Sequence, residues 1–399
     1  MPISRRHLLK ATVASGLLPM MLSLARAADW ASIEDRAEGE TVYFNAWAGS
    51  EPINVYINWV VNEVKSRYGV TLIHVRITDA AEVVRRVRDE VRAGKTDGST
   101  DLVWINGENF RAMKADKLLF GPFAPALPNF KYVDTEGKPT TLNDFAEPTD
   151  GLESPWGMAQ LTFFGDGAKI AMPPLSMAEL VQFAQANPGR VSYPAPPDFH
   201  GTTFVKQALI DTIGQRSVLK SAATKELFAH VSPPMFTLLD GLHPHLWREG
   251  KQFPQTQAQL KQMLADGELL MALTFNPNEA ANLVAGKQLP ETTIAWQFSA
   301  GTIGNTHFVA IPINAQATDA AQVVANFLLS PEAQARKADL KTWGDPTVLA
   351  MAKLSPDELS LFASGAVAGS IKTPVLAIPE PHGSWVPLIE AAWLEHYGT

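Results

Sequence analysis

Residues able to do covalent chemistry occur in this sequence, but not in the patterns that such chemistry requires. No G-x-S-x-G turn presents a serine, no H-E-x-x-H sets two imidazoles one helical turn apart, and no complete G-x-G-x-x-G cradles a dinucleotide. Gly94-Lys95-Thr96 ends like a phosphate loop, yet Asp89 stands where the first glycine belongs, so the segment reads as a helix C-cap. His243-Pro244-His245 offers two imidazoles with no third histidine close by, and the proline fits a turn. The six tyrosines, at 43, 56, 68, 132, 193 and 397, include no adjacent pair for a ferric ion. With no cysteine, the chain has no disulfide, thiolate metal site or lipid-bearing cysteine.

The chemistry the sequence does offer is hydrogen bonding and stacking. Six short segments combine polar groups with glycine, proline or an aromatic: Asn45 to Glu51, Asn106 to Asn109, Pro155 to Gly157, Phe199 to Thr203, Asn276 to Glu279 and Gly304 to His307. A cleft that holds a small polar molecule needs these types. The candidate contacts are Asn45, Trp47, Gly49, Asn106, Glu108, Asn109, Trp156, His200, Thr202, Thr203, Asn276, Asn278 and Asn305. Trp47 and Trp156 lead among the tryptophans, with Trp296 and Trp343 behind them; Trp30, Trp59, Trp104, Trp385 and Trp393 read as packing. Two arguments about ligand charge conflict. Helices that start at a cleft favour an anion, most of all at His200 to Thr203. Aromatic faces beside Glu51, Glu108 or Glu279 favour an organic cation.

Each segment follows a stretch with strand character, where ligands of open α/β sheets bind. Residues 42–47 are an apolar run; Ile53, Ile57, Val60, Val61 and Val64 then form one helical face that Ser50 caps and Pro52 starts. Residues 71–77 and a helix through Val83, Val84, Val87 and Val91 repeat the unit, and 101–105 followed by 110–116 repeats it again. Successive units of this kind predict a parallel, doubly wound sheet. Residues 121–156, rich in Pro, Asp, Asn and Thr, read as a surface connection, and a second α/β unit follows from 158. The expected arrangement is one lobe from residues 28–157 and 302–345, another from 158–301 and 346–399, and hinges near 154–158, 300–305 and 344–346.

The 399 residues, 46% hydrophobic and 19% charged, suit a globular protein with a large core. At the N-terminus, Arg5, Arg6 and Lys10 precede an uncharged run over 11–24 that ends in Ala25-Arg26-Ala27. This is the layout of an export signal cleaved after Ala27, with a twin-arginine pattern in Ser4 to Lys10; a general secretory leader is the alternative. Residues 1–27 hold four basic and no acidic residues of the chain's 33 basic and 41 acidic, so cleavage leaves a charge of −12. Such a surface repels phosphate backbones and anionic lipid, which argues against nucleic-acid and membrane-surface partners. The expected product is a free, soluble periplasmic protein and a monomer.

Tyr43-Phe44-Asn45-Ala46-Trp47, followed by Ile53-Asn54-Val55-Tyr56-Ile57, resembles the start of the extracellular solute-binding proteins of ABC importers, in the YnjB-type branch near the thiamine-binding proteins. Asp101 to Phe110 and Phe163-Phe164-Gly165-Asp166 resemble the same branch, and Ser330-Pro331-Glu332-Ala333-Gln334 resembles the wider superfamily. Ala48 stands where that branch carries glycine. The resemblance spans most of residues 40–345. It implies a two-lobed type II periplasmic-binding-protein fold, each lobe a mainly parallel sheet flanked by helices, with a ligand cleft between lobes that close about a hinge. It also implies no catalysis and no cofactor, with an inner-membrane ABC permease and its ATPase as partners. The expected ligand is a small polar or cationic molecule of thiamine type, with a phosphorylated form satisfying both charge arguments. Ferric or polyamine capture by the same fold, a sensing subunit and a secreted hydrolase are the alternatives.

Overall fold

The computed structural model describes residues 30–362, 368–371 and 375–398, so the expected export signal over residues 1–27 lies outside the described residues. Strands and helices alternate: β1 (Thr41–Trp47), α1 (Glu51–Tyr68), β2 (Thr71–Ile77), α2 (Ala80–Arg92), β3 (Leu102–Ile105) and α3 (Gly107–Ala115) come first. A hairpin of β4 (Asn143–Asp144) and β5 (Glu147–Pro148) precedes β6 (Glu153–Gln160) and β7 (Thr162–Asp166). Then come α4 (Met177–Ala186), α5 (Phe199–Thr212), α6 (Lys225–Val231), α7 (Pro233–Leu242), α8 (Gln257–Ala265), β8 (Met271–Thr274), α9 (Glu279–Ala285) and β9 (Thr293–Trp296). The chain ends with β10 (Thr302–Ala310), α10 (Thr318–Leu328), α11 (Pro331–Ala338), α12 (Pro356–Ser360), β11 (Ala377–Pro379) and α13 (Trp385–Tyr397).

Local chemistry sets several of these boundaries. Pro52 stands in the first turn of α1, and Gly69 ends that helix with φ 68°, a left-handed cap open to glycine at no steric cost. The Asp79 carboxylate accepts from the Ala81 N–H and starts α2.

The larger sheet runs β11-β10-β3-β1-β2, with β6 on the other side of β10. Its β1, β2 and β3 are parallel, as the repeated strand-helix units require, and β10 runs antiparallel to both β3 and β6. Val42, Phe44, Tyr56, Val60, Val309 and Val324 belong to one core cluster of this sheet. Val83, Val87, Ile105, Phe110 and Met113 belong to a separate one, as a doubly wound sheet demands. The smaller sheet, β8-β7-β9, has its own core of Phe163, Leu209, Leu239, Leu273 and Trp393. Its direction differs from the expected parallel one: β7 is antiparallel to both neighbours. The reason is the entry route. β6 passes through Leu161 alone into β7, so β7 leaves the larger sheet as β8 and β9 run back towards it.

Two further expectations are corrected. Residues 121–156 are not merely a surface connection, because Phe123, Leu127 and Val133 are buried in the first core. Short helical turns begun by prolines turn these side chains inward. Nor does everything beyond Asp345 join the second unit: Val348, Leu349 and Leu354 pack in the first core, and Leu349 pairs with Val133. α13, through Trp385, Ile389 and Trp393, and Ile378 of β11 pack in the second. No described helix is long and apolar enough to cross a membrane.

Candidate functional site

A cavity of about 590 Å³ opens where the carboxyl ends of β1, β2 and β3 meet α5, the end of β8 and α13. Trp47, Ser50, Ile77, Asp79, Trp104, Asn106, Glu108 and Asn109 form one wall. Phe199, His200, Thr202, Lys206, Lys261, Phe275, Asn276 and Glu279 face them, and Val386 and Glu390 of α13 close one side. Phe145, His307, Trp343 and Asp345 complete the lining.

The charges in this wall fall into two groups. Every lysine that lines it is already paired. Lys206 Nζ lies 2.6 Å from Glu380, which also accepts from Asn305 Nδ2 at 3.2 Å, and both charged side chains are 1% exposed. Lys261 pairs with Glu279 at 2.5 Å, and Gln257 and the Thr274 hydroxyl donate to the same carboxylate. Asp345 takes Lys337 at 2.6 Å and His307 at 3.1 Å; burial works against its charge, but Lys337 and His307 hold its carboxyl below the usual range.

Of the lining carboxylates, Asp79 caps α2 without a cationic partner, and Glu108 and Glu390 lack one as well. Glu390 accepts from the Thr202 hydroxyl at 2.8 Å, and burial pushes it above the ordinary carboxylate value. Burial pushes Glu108 up to about 7, with the nearby charges of Glu390 and Glu380 adding to the rise. Its own backbone N–H and the Lys206 ammonium only partly offset this.

Helix dipoles offer less than their number suggests. Several helices start at the cavity, but Asp79 and Asp198 carboxylates already cap α2 and α5, and Asp144 accepts from the Gly107 N–H of α3 at 2.6 Å. α1, α9 and α13, whose N-cap residues Ser50, Asn278 and Ser384 make no side-chain cap, start there without a carboxylate bonded to their first turn.

The family model described as "Bacterial extracellular solute-binding protein" matches residues 59–361. Protein YnjB of Escherichia coli K12 is 48% identical over 385 residues, covering 96% of this chain and 98% of that one. The chain belongs to the bacterial extracellular solute-binding proteins. Among solved structures, a periplasmic binding protein AfuA from Actinobacillus pleuropneumoniae with fructose-6-phosphate bound superposes with a TM-score of 0.62 at 15% identity, covering 90% of this chain and 98% of that chain. A periplasmic thiamin binding protein superposes with a TM-score of 0.60 at 15% identity, covering 90% and 95%. These likenesses establish the type II periplasmic-binding-protein fold.

In this solute-binding protein, Trp47, Asn106, Glu108, Asn109, His200, Thr202 and Asn276 line the cavity, and the other six candidates do not. Asn45 is buried in β1, bonded to Arg86 at 2.6 Å. Gly49 serves Trp47 instead, since a Cβ there would lie 2.3 Å from the indole. Trp156 and Thr203 are fully buried, Asn278 donates to the Gly344 carbonyl at 2.6 Å, and Asn305 holds Glu380. Trp296 stacks on Phe163 in the second core. Trp104, read as packing, lines the cavity beside Trp343.

Asp79, Phe145, Lys206, Lys261 and Glu390 were not singled out from sequence. Asp79 follows a strand and obeys the rule that found its neighbours. Phe145 sits at a hairpin tip, and Glu390 is brought in by α13 from the far end of the chain, for which local sequence carries no signal.

Proposed function

We propose that this solute-binding protein is the periplasmic receptor of an ABC importer, capturing a small organic cation of thiamine type. It delivers that ligand unchanged to an inner-membrane permease with its ATPase. The observation that carries the charge assignment is the pairing pattern. Both wall lysines are engaged by carboxylates, whereas Glu108 and Glu390 face the cavity without a cation. Aromatic rings of Trp47, Trp104, Phe199 and Trp343 line the same space and can stack on a positive ring, each face contributing about 0.5 to 2 kcal/mol. The phosphorylated form finds less support, because the N-termini of α2, α3 and α5 at the cavity are already bonded to carboxylates. Ferric capture finds less support, because no tyrosine among the described residues lines the cavity.

On this reading the chain is exported by the twin-arginine or general secretory route as a soluble monomer. The lobes are the two units that carry the two sheets, joined where β6 runs into β7 and along β10, and they close about these crossings on the ligand.

The test is a binding panel on refolded, ligand-free protein: thiamine and its phosphates, choline, polyamines, amino acids, sugars and ferric citrate. Ligand at about 1,000 times its dissociation constant adds about 4 kcal/mol of stability, enough for a shift of several degrees. A panel in which only neutral sugars shift the midpoint defeats the proposal. Trp47→Ala supplies the first site-directed check. Affinity for the cation is expected to fall between about 2- and 30-fold, the range of one cation–π contact. The unfolding midpoint of the free protein should fall only modestly, since the Trp47 indole packs at the edge of the first core and not within it.

A further inference from the structure

Lys206 is surrounded by more negative charge than it can balance. It reaches from α5 to Glu380, which follows β11, and its charge also acts on Glu108 from α3, Glu390 from α13 and Asp144 from the β4–β5 hairpin. Asp79 adds its field to Glu390, and Glu153 lies behind Asp144 within range of its charge. The remaining neighbours of the Lys206 ammonium are the Phe145 and Phe199 rings, 4.6 and 5.5 Å away, which carry no neutralising charge. The carboxyls about this ammonium are shifted accordingly: burial pushes Asp144 well above its usual range, Glu390 up, and Glu108 to about 7.

Of these groups, Glu108 is the one placed to exchange its proton for a ligand. Its carboxyl is partly buried, lines the cavity and has its own backbone N–H as its sole hydrogen-bond donor among the described residues. Asp144 is not in the cavity wall and is held by the Gly107 N–H; Glu390 is held by the Thr202 hydroxyl.

We propose that Glu108 selects ligands by charge: a fixed organic cation enters its side of the cavity, and the proton of the Glu108 carboxyl leaves to solvent as the cation takes its place beside the carboxylate. This rests on the cation reading above and adds to it a residue and a stoichiometry. A neutral molecule of the same shape would leave the proton in place and gain nothing from Glu108.

The sign follows from linkage. The free site binds a proton that the complex does not, so affinity for a fixed cation rises with pH up to the value of the free carboxyl and is level above it. With that value at about 7, affinity is expected to rise about 10-fold between about pH 6 and about pH 8.

The experiment is calorimetry with thiamine, whose thiazolium charge does not titrate, in two buffers of different ionisation enthalpy. Release of close to one proton is expected near pH 6 and almost none by about pH 8.5. Glu108→Gln should flatten the pH profile, abolish the buffer dependence near pH 6 and weaken binding about 10-fold or more at about pH 8. Its midpoint without ligand, taken alongside, checks the fold. A buried carboxyl with a raised value costs stability as pH climbs from the unfolded value towards 7, so the variant should be the more heat-stable protein at about pH 8. Thiamine binding without proton release, or a pH profile unchanged in Glu108→Gln, overturns the proposal and leaves the cation reading standing. If thiamine and choline both fail to bind while a neutral solute binds, the cation reading falls and this proposal with it.

Discussion

Lys206→Met is expected to lower the stability of the protein by about 3 to 5 kcal/mol at neutral pH, the cost of stranding a buried charge. Lys206 and Glu380 are both buried, and Asn305 is the other side chain that bonds the carboxylate. Removing the ammonium also takes away the cation that acts on Glu108, Glu390 and Asp144. Those carboxyls then respond in the direction that burial already pushes them. Glu380, raised by burial even with Lys206 beside it, rises further. A carboxyl whose folded value lies above its unfolded one destabilises most at high pH, and the deficit shrinks as pH falls towards the unfolded value. Urea unfolding should therefore show a larger gap between variant and parent at about pH 8 than at about pH 5. Replacing both partners, as in Lys206→Met with Glu380→Leu, should recover much of the loss, because no charge is left stranded. A deficit below about 1 kcal/mol, or one indifferent to pH, would show that the pair is not what holds α5 to the residue after β11.

Lys206 also illustrates which parts of this molecule the sequence makes legible. The repeated units over β1 to α3 were plain because period-2 and period-3.6 patterns alternate there, and the cavity residues at their strand ends followed from one rule. Trp47, Asn106, Glu108 and Asn109 were reached that way. Lys206 was not, because it lies within α5, where ten consecutive residues from Gly201 to Ile210 are buried and no polar face marks out a functional lysine. Its partner Glu380 is 174 residues away in sequence, in a segment whose place depends on β11 joining β10. The misplaced candidates have a common cause as well. Asn45, Trp156 and Asn305 sit inside strands, where side chains alternate between faces, so a shift of one residue decides between cavity and core. Sequence gave the strand ends to within a few residues, which is too coarse for that choice.

Trp156→Ala separates the two roles a tryptophan can have here, and the expected result reverses that of Trp47→Ala. Trp156 is fully buried in β6, with ring centroids of Trp104 at 4.9 Å, Trp343 at 5.5 Å, Phe44 at 6.2 Å and Tyr56 at 6.3 Å. Its carbonyl accepts from Gln334 at 2.7 Å; Gln334 also donates to the Leu328 carbonyl and accepts from Thr347 and the Val348 N–H. That glutamine is the last residue of the Ser330 to Gln334 stretch, in which the Ser330 hydroxyl caps α11. The motif is thus a fastening between α11, β6 and the segment after Asp345. Deleting the indole leaves a cavity among four aromatic rings and is expected to cost about 3 to 5 kcal/mol, visible as a large fall in the urea midpoint. Two of those rings, Trp104 and Trp343, line the ligand cavity, so affinity should fall too, but only as their support relaxes. Trp156→Phe, which keeps most of the packing, should recover a good part of both. Were Trp156→Ala to lose affinity with its midpoint intact, the indole would have to reach the ligand, and the assignment of this residue to the core would be wrong.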